Sequence, residues 1–240
     1  MGKLAGEMVR VGTRGSQLAR TQTGHVIDQL RSFGFEVQEV IISTRGDQQQ
    51  TVPIAQIGND GVFVRELEKA LLEERIDLAV HSLKDLPTAM TPGLEFACTP
   101  PRATPFDVLV SRDGVGLRDL PADARVGTAS IRRRIQIRAV RPDLQIVAIR
   151  GNVDSRLKRV DERELDAVVL AAAGLERLGR ADCITEVLQP PDFWPAVAQG
   201  ALVVQIKEAN QRVQEILEPI HHPATYLSTV SERALLASLA

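Results

Sequence analysis

The segment from His81 to Thr88, HSLKDLPT, sets a cation, Lys84, beside an anion, Asp85, directly after an apolar run, Leu78 to Val80, that reads as a buried strand. Ligands of parallel α/β sheets sit at the carboxyl ends of strands, so both charges stand where chemistry is done. An Asp in Asp-Leu-Pro is most simply a turn former. Its functional reading is a carboxylate that steadies a transient cation or moves a proton. Lys84 reads as its structural partner or as an anion contact. His81, inside the strand, reads as a buried structural histidine without a catalytic role.

Arginines supply the second chemistry. Arg14, Arg132, Arg133, Arg150 and Arg156 fall just after predicted strands or in the first turn of the following helix, where unpaired N–H groups and the helix dipole favour anions. A guanidinium fork suits a carboxylate or phosphate bidentately. A lone arginine near a helix start is more often a solvated side chain, and Arg134 and Arg138 are read so. Five at equivalent strand ends, in a chain of net charge −2, point to a local anion site. An acid facing such a site would repel its ligand, so Asp85 must serve a different charge.

The elements that position these residues alternate. Met8 to Gly12 reads as a strand, Ser16 as the N-cap of a helix carrying Leu18, Val26 and Leu30 and ending near Gly34, and Phe35 to Ile42 as a second strand. Phe63 to Glu74 has helical spacing at Phe63, Leu67 and Leu71, and Asp77 to Ser82 is the next strand. This order predicts a mostly parallel sheet. It then repeats: VGTR with Ser16 is echoed by VGTA (126–129) with Ser130, RGD (45–47) by RGN (150–152), and LEERIDLAV (72–80) by VDERELDAVV (160–169). Three matches in the same order predict two similar α/β lobes. The proline-rich segments TPPRATP (99–105) and QPPDFWP (189–195) mark two crossings, with Gly200 to Ile206 as a returning strand. The expected organisation is a first lobe of 1–100 plus 200–217, a second of 101–199, and 218–240 as the remnant of a C-terminal domain. The two lobes are expected to form a hinged pair of the periplasmic-binding-protein kind, with the arginines expected to face the cleft between them.

Composition bounds the function. With 240 residues, 44% hydrophobic and 25% charged, the chain reads as an ordinary globular protein. Aromatics at 3% leave few stacking platforms for single strands, and the slight negative charge argues against bulk attraction to nucleic acid or anionic membranes. Cys98 and Cys183 lack metal-ligand or CxxC spacing and suit a reducing compartment. MGKLAGEMVR lacks the apolar core of a signal peptide. The expectation is a cytoplasmic monomer that binds a small molecule, with no metal, nucleic acid or membrane.

HSLKDLPT, VGTASIRR, RGNVDSRL, DAVVLAAAGLERLG, PAVAQGAL and VGTRGSQLA, spread in order over almost the whole chain, together resemble the hydroxymethylbilane synthase (porphobilinogen deaminase) family. The resemblance implies a transferase of tetrapyrrole and haem biosynthesis that joins four porphobilinogen units head to tail and releases ammonia at each step. It makes Asp85 the catalytic acid that hydrogen-bonds pyrrole N–H groups and steadies the cation left when ammonia departs. It makes Lys84, Ser130, Arg132, Arg133, Arg150 and Arg156 contacts of a dipyrromethane cofactor, and Arg14, Ser16, Thr128, Arg177 and Gln199 substrate contacts.

Three features depart from the family pattern. The family attaches its dipyrromethane to a cysteine in a third domain, shortly after a helix that contains Glu-Arg-Ala. Ser231-Glu232-Arg233-Ala234 is present here, but no cysteine follows before Ala240. The resemblance therefore implies a truncated third domain, and an apolar surface is expected around Ile220, Leu227 and Leu235. A loop that usually carries lysines reads Gln56-Ile57-Gly58-Asn59-Asp60-Gly61, and PRATPFD (101–107) and Ala201 to Lys207 are also altered. A second reading, a two-lobed protein that binds a small anion without turning it over, is kept beside the first.

Overall fold

The computed structural model describes residues 8–43 and 64–239. They fall into two compact units, one within Met1–Arg102 and Ala201–Ala240, the other Ala103–Gly200. Segment 218–240, expected as the remnant of a C-terminal domain, is grouped with the first unit.

In unit 1, β1 (Met8–Arg14), β2 (Glu36–Ile42), β3 (Leu78–Ser82) and β4 (Leu94–Cys98) are joined by the returning strand that begins at Leu202. In unit 2 the strands are β5 (Asp107–Ser111), β6 (Arg125–Gly127), β7 (Gln145–Val147), β8 (Ala167–Ala171) and β9 (Glu186–Leu188), and the returning strand of unit 1 is β10 (Leu202–Lys207). The sheet orders are β2-β1-β3-β10-β4 and β7-β6-β8-β5-β9. Each sheet is mixed: β1 runs parallel to β2 and β3 while β10 is antiparallel to β3 and β4, and β6, β7, β8, β5 and β9 repeat the pattern. Four strands of each sheet thus point one way. The reversed one is the strand that follows each crossing of the chain.

The duplication extends to single residues. Gly12 pairs with Ala79 across β1 and β3, and Gly127 with Val168 across β6 and β8. A Cβ on Gly12 would lie 2.3 Å from Ile76 Cδ1, and one on Gly127 would lie 2.7 Å from Leu165 Cδ1, so both glycines let the residue ahead of the neighbouring strand close over the sheet. Asp77 and Asp166 follow those residues and accept the backbone N–H of Arg10 and Arg125 at 2.7 and 2.8 Å. Burial pushes the Asp77 carboxyl up, but its bonds from Arg10 outweigh burial and hold it below the ordinary value. Even the strained turns correspond: Glu74 and Arg163, each three residues before these aspartates, hold φ of 55° and 61°, a region that costs an L-residue about 1 kcal/mol.

Helices cover the sheets. α1 (Gln17–Ser32) is capped by Ser16, whose hydroxyl accepts from Ala19 N, and buries Val26, Ile27 and Leu30 against Val9, Val11 and Leu78. α2 (Arg65–Leu72) buries Leu67, Ala70 and Leu71; Phe63, expected to start this helix, and the loop from Gln56 to Gly61 lie outside the described residues. In unit 2, α3 (Ile131–Val140) is capped by Ser130 and α4 (Val153–Asp161) by Asn152, and α5 (Ala172–Arg177) continues directly from β8. α6 (Gln211–Leu217) and α7 (Pro223–Ser238) complete unit 1. Ile220, expected in an exposed apolar tail, is buried in the core of unit 1, whereas Leu227 and Leu235 are exposed. No helix of the described residues is long and apolar enough to cross a membrane.

Candidate functional site

In unit 1 the C-terminal end of β3 runs into a single 3-10 turn, Leu83–Asp85. Leu83 and Leu86 are buried, so the turn is pinned at both ends and Lys84 and Asp85 between them are exposed. The Asp85 carboxylate makes no hydrogen bond or ion pair with any described residue, which leaves it available to a ligand. Gln22 of α1 exchanges hydrogen bonds with the Ser82 hydroxyl at 2.9 and 3.2 Å, just ahead of the turn. Arg14 ends β1 and Ser16 caps α1. Thr13, between them and the core, is buried and accepts from the Thr23 hydroxyl at 2.8 Å. His81 is buried within β3, and burial pulls its imidazole down to about 4. It is therefore neutral at physiological pH, in keeping with a structural role.

In unit 2 the arginines converge on one acid that sequence reasoning did not single out. Asp107, 1% exposed at the start of β5, accepts from Arg132 Nη1 at 2.7 Å, from Arg133 Nε and Nη2 at 3.0 and 2.7 Å, and from Gln199 Nε2 at 3.0 Å. Burial alone would raise its carboxyl; Arg133 and Arg132 outweigh burial and hold it below the ordinary value. Arg133 also donates to the Val169 carbonyl, Arg132 to the Trp194 carbonyl, and Gln199 to the Pro105 carbonyl. Arg133 is thus a buried strut, its donors committed to the protein. The signal for Asp107 was present: one acid heading an otherwise apolar strand, VLV, opposite an Arg-Arg pair.

The remaining arginines are less committed. Arg150 Nη1 is buried with no hydrogen-bond partner, and a buried donor left unmet costs about 1–3 kcal/mol unless a ligand supplies an acceptor. Arg156 donates to the Gly151 carbonyl at 2.9 Å, and burial, with the like charge of Arg133, pulls its guanidinium below the ordinary value. Thr128 is buried at the end of β6, and its hydroxyl accepts from Ser130 N at 3.2 Å. Arg177 reaches the Gly200 carbonyl at 2.7 Å. Arg134 and Arg138 are exposed, as expected of solvated side chains.

Two similar α/β units, each with one reversed strand, define an α/β fold of the periplasmic-binding-protein kind. An ancestral cationic amino acid solute-binding protein matches the fold with a TM-score of 0.53 at 14% identity, covering 88% of this chain and 87% of its own. A periplasmic substrate-binding protein of an ABC transporter from Coxiella burnetii matches with 0.52 at 15% identity, covering 94% and 97%.

Sequence similarity narrows the class. A family model described as "Porphobilinogen deaminase, dipyromethane cofactor binding domain" matches residues 9–215. Relatives named porphobilinogen deaminase include those of Syntrophobacter fumaroxidans, 44% identical over 97% of this chain and 76% of the relative, and of Nocardia farcinica, 50% identical over 98% and 67%. The chain belongs to the porphobilinogen deaminase family.

Proposed function

We propose that this chain is a hydroxymethylbilane synthase, a transferase that condenses four porphobilinogen molecules stepwise into linear hydroxymethylbilane with release of ammonia, acting as a cytoplasmic monomer in tetrapyrrole and haem biosynthesis. The observation that carries the binding half of this reading is the charge balance of unit 2. One buried carboxylate, Asp107, meets two guanidiniums, while Arg150 keeps a buried donor unmet and Arg156 is crowded by Arg133. Such a group is incomplete until an anion arrives. Porphobilinogen brings two, an acetate and a propionate.

The dipyrromethane of the family would be held in unit 2 by the same kind of contact, its carboxylates on Arg150 and Arg156, with Ser130 nearby in sequence and Arg132 and Arg133 adding charge from their posts on Asp107; the family pattern adds Lys84 of unit 1, and when bound the group supplies the primer to which substrate adds. The unmet donor of Arg150 fits it. Neither described thiol suits its thioether: Cys98 lies in the core of unit 1, its thiol pushed up to about 12 by burial, and burial also raises Cys183. For substrate, the family pattern names Arg14 and Ser16 of unit 1 and Thr128, Arg177 and Gln199 of unit 2. Asp85 accepts pyrrole N–H groups and sets a negative charge where positive charge develops as ammonia leaves, the preorganised electrostatics that lower such barriers.

The test is turnover of porphobilinogen by the full natural chain, read as ammonia release and as uroporphyrin after oxidation. Asp85→Asn is expected to leave the fold intact and lower turnover by at least about a hundredfold, the scale of a lost acid or base group. Near-normal turnover would remove Asp85 from the mechanism. Binding without ammonia release by the unaltered protein would favour an anion binder instead.

A further inference from the structure

The turn that presents Asp85 is followed by Leu86, Pro87 and Thr88, and the carbonyls of all three accept hydrogen bonds from one side chain, Arg233 of α7. Its Nη1 lies 3.1 Å from the Leu86 oxygen, and Nη2 reaches the oxygens of Pro87 and Thr88. The guanidinium also stacks over the Phe96 ring, 5.5 Å from its centre. Among the described residues Arg233 enters no salt bridge; the acid beside it, Glu232, is paired with Arg102. A half-buried cation spent on three neutral carbonyls, with no counter-ion, is an unusual use of charge unless those carbonyls need holding.

They do. Pro87 has no N–H, and among the described residues the one backbone bond at the turn's exit is Leu86 N to the Leu83 carbonyl at 3.3 Å. Upstream the turn is tied by Leu83 N to the Ala201 carbonyl at 3.1 Å and by Gln22 on Ser82. Downstream, Arg233 is the tie. A planar fork with several donors bridges successive carbonyls in this way better than an ammonium, which is a point donor.

We infer that Arg233 is a positioning residue for Asp85, fixing the exit of its turn so that the carboxylate stays where the developing cation will form. This rests on the reading of Asp85 as the acid of the reaction. The segment 218–240 then serves the chemistry of unit 1 from behind, without touching substrate. The unit 2 counterpart of the turn needs no such tie, because β8 passes straight into α5, whose own ladder holds it.

The experiment compares Arg233→Met, Arg233→Lys, Asp85→Asn and the double variant Asp85→Asn/Arg233→Met in the full natural chain. Met keeps the apolar stem over Phe96, so the fold should persist. Primer content is measured with an acidic aldehyde reagent, and amide hydrogen exchange of residues 83–89 supplies a readout independent of turnover. Arg233→Met is expected to speed exchange in that segment alone and to lower kcat by roughly tenfold or more, the scale of a misplaced catalytic group, with KM changing far less and Lys restoring part of the loss. In the Asp85→Asn background the same change should do little more. Unchanged exchange, an equal loss in both backgrounds, or a loss that merely follows primer content would overturn the inference. Normal turnover by Asp85→Asn would strike the reading of Asp85 itself, and the exchange data would still show whether Arg233 holds the turn.

Discussion

Matched position by position, the two units carry opposite chemistry on the same scaffold. The pairings of Gly12 with Ala79 and of Gly127 with Val168 make Ser82 the counterpart of Ala171. Those two residues pair with Leu202 and Asp107 on the reversed strands. Where unit 2 buries an acid that collects arginines, unit 1 buries a leucine. Beyond the strand end the roles invert: unit 1 exposes Lys84 and Asp85, and unit 2 has Ala173 and Gly174. A duplicated sheet has thus divided the work, one copy holding fixed positive charge and the other presenting a free carboxylate. The backbone is shared because Gly12 and Gly127, Asp77 and Asp166, and the turns at Glu74 and Arg163 do the same structural task in both.

Making the copies alike should break the one that depends on its difference. Asp107→Leu gives unit 2 the residue of unit 1, and takes from two largely buried guanidiniums and the Gln199 amide the carboxylate they share. A loss of about 3–5 kcal/mol in folding stability is expected, as for a broken buried ion pair, measured by denaturant unfolding. Acid should sharpen the contrast. Because the Asp107 carboxyl is held below its ordinary 3.8, its contribution is present above that pH and is lost as pH falls through the lower folded value. Asp107→Leu should lack that component of acid sensitivity, and an identical pH profile would show that the ion pair contributes nothing.

The arginines of unit 2 should then separate into struts and clamps. Although both were expected to face ligand freely, Arg132 holds Asp107 and the Trp194 carbonyl, while Arg150 keeps a buried nitrogen unmet. Arg150→Leu is expected to weaken binding of porphobilinogen by about 1.5–3 kcal/mol, the scale of a charge-assisted contact, at unchanged stability, by calorimetric titration and thermal melting. Lost stability at unchanged affinity would make Arg150 a strut as well.

The smallest effect concerns what the units share. Arg163→Gly relieves a left-handed L-residue in the turn before β8 and is expected to stabilise by up to about 1 kcal/mol, less the entropy that glycine loses on folding. Glu74→Gly should gain less, since Glu74 also pairs with Lys207. Denaturant midpoints would check both, and destabilisation by Arg163→Gly would mean that the correspondence of the two turns is not one of strain.

Elements whose logic is local were legible in the chain. The N-caps at Ser16 and Ser130 depend on a side chain reaching an N–H three residues away, and the apolar runs of β3 and β8 or the spacing of Leu67 and Leu71 need only a strand or helix period. The strand-end placement of Lys84 and Asp85 follows from the same local rules. The sheet order was less legible: the alternation of elements predicted parallel pairing, but not that each chain crossing would insert one reversed strand beside β3 or β8, because that depends on where a distant strand returns.

Partnership was the part that only tertiary structure decided. Arg133 lies 26 residues from Asp107, Gln199 lies 92 from it, and Arg233 lies 146 from Pro87. An arginine reads the same in sequence whether its donors meet a buried carboxylate, a row of carbonyls or nothing. What separates a strut from a clamp is whether folding has already supplied the acceptor, since an unmet buried donor favours binding and a satisfied one does not. Composition and pattern therefore marked the charged positions, and the folding of each unit determined which of those charges met an acceptor within the protein.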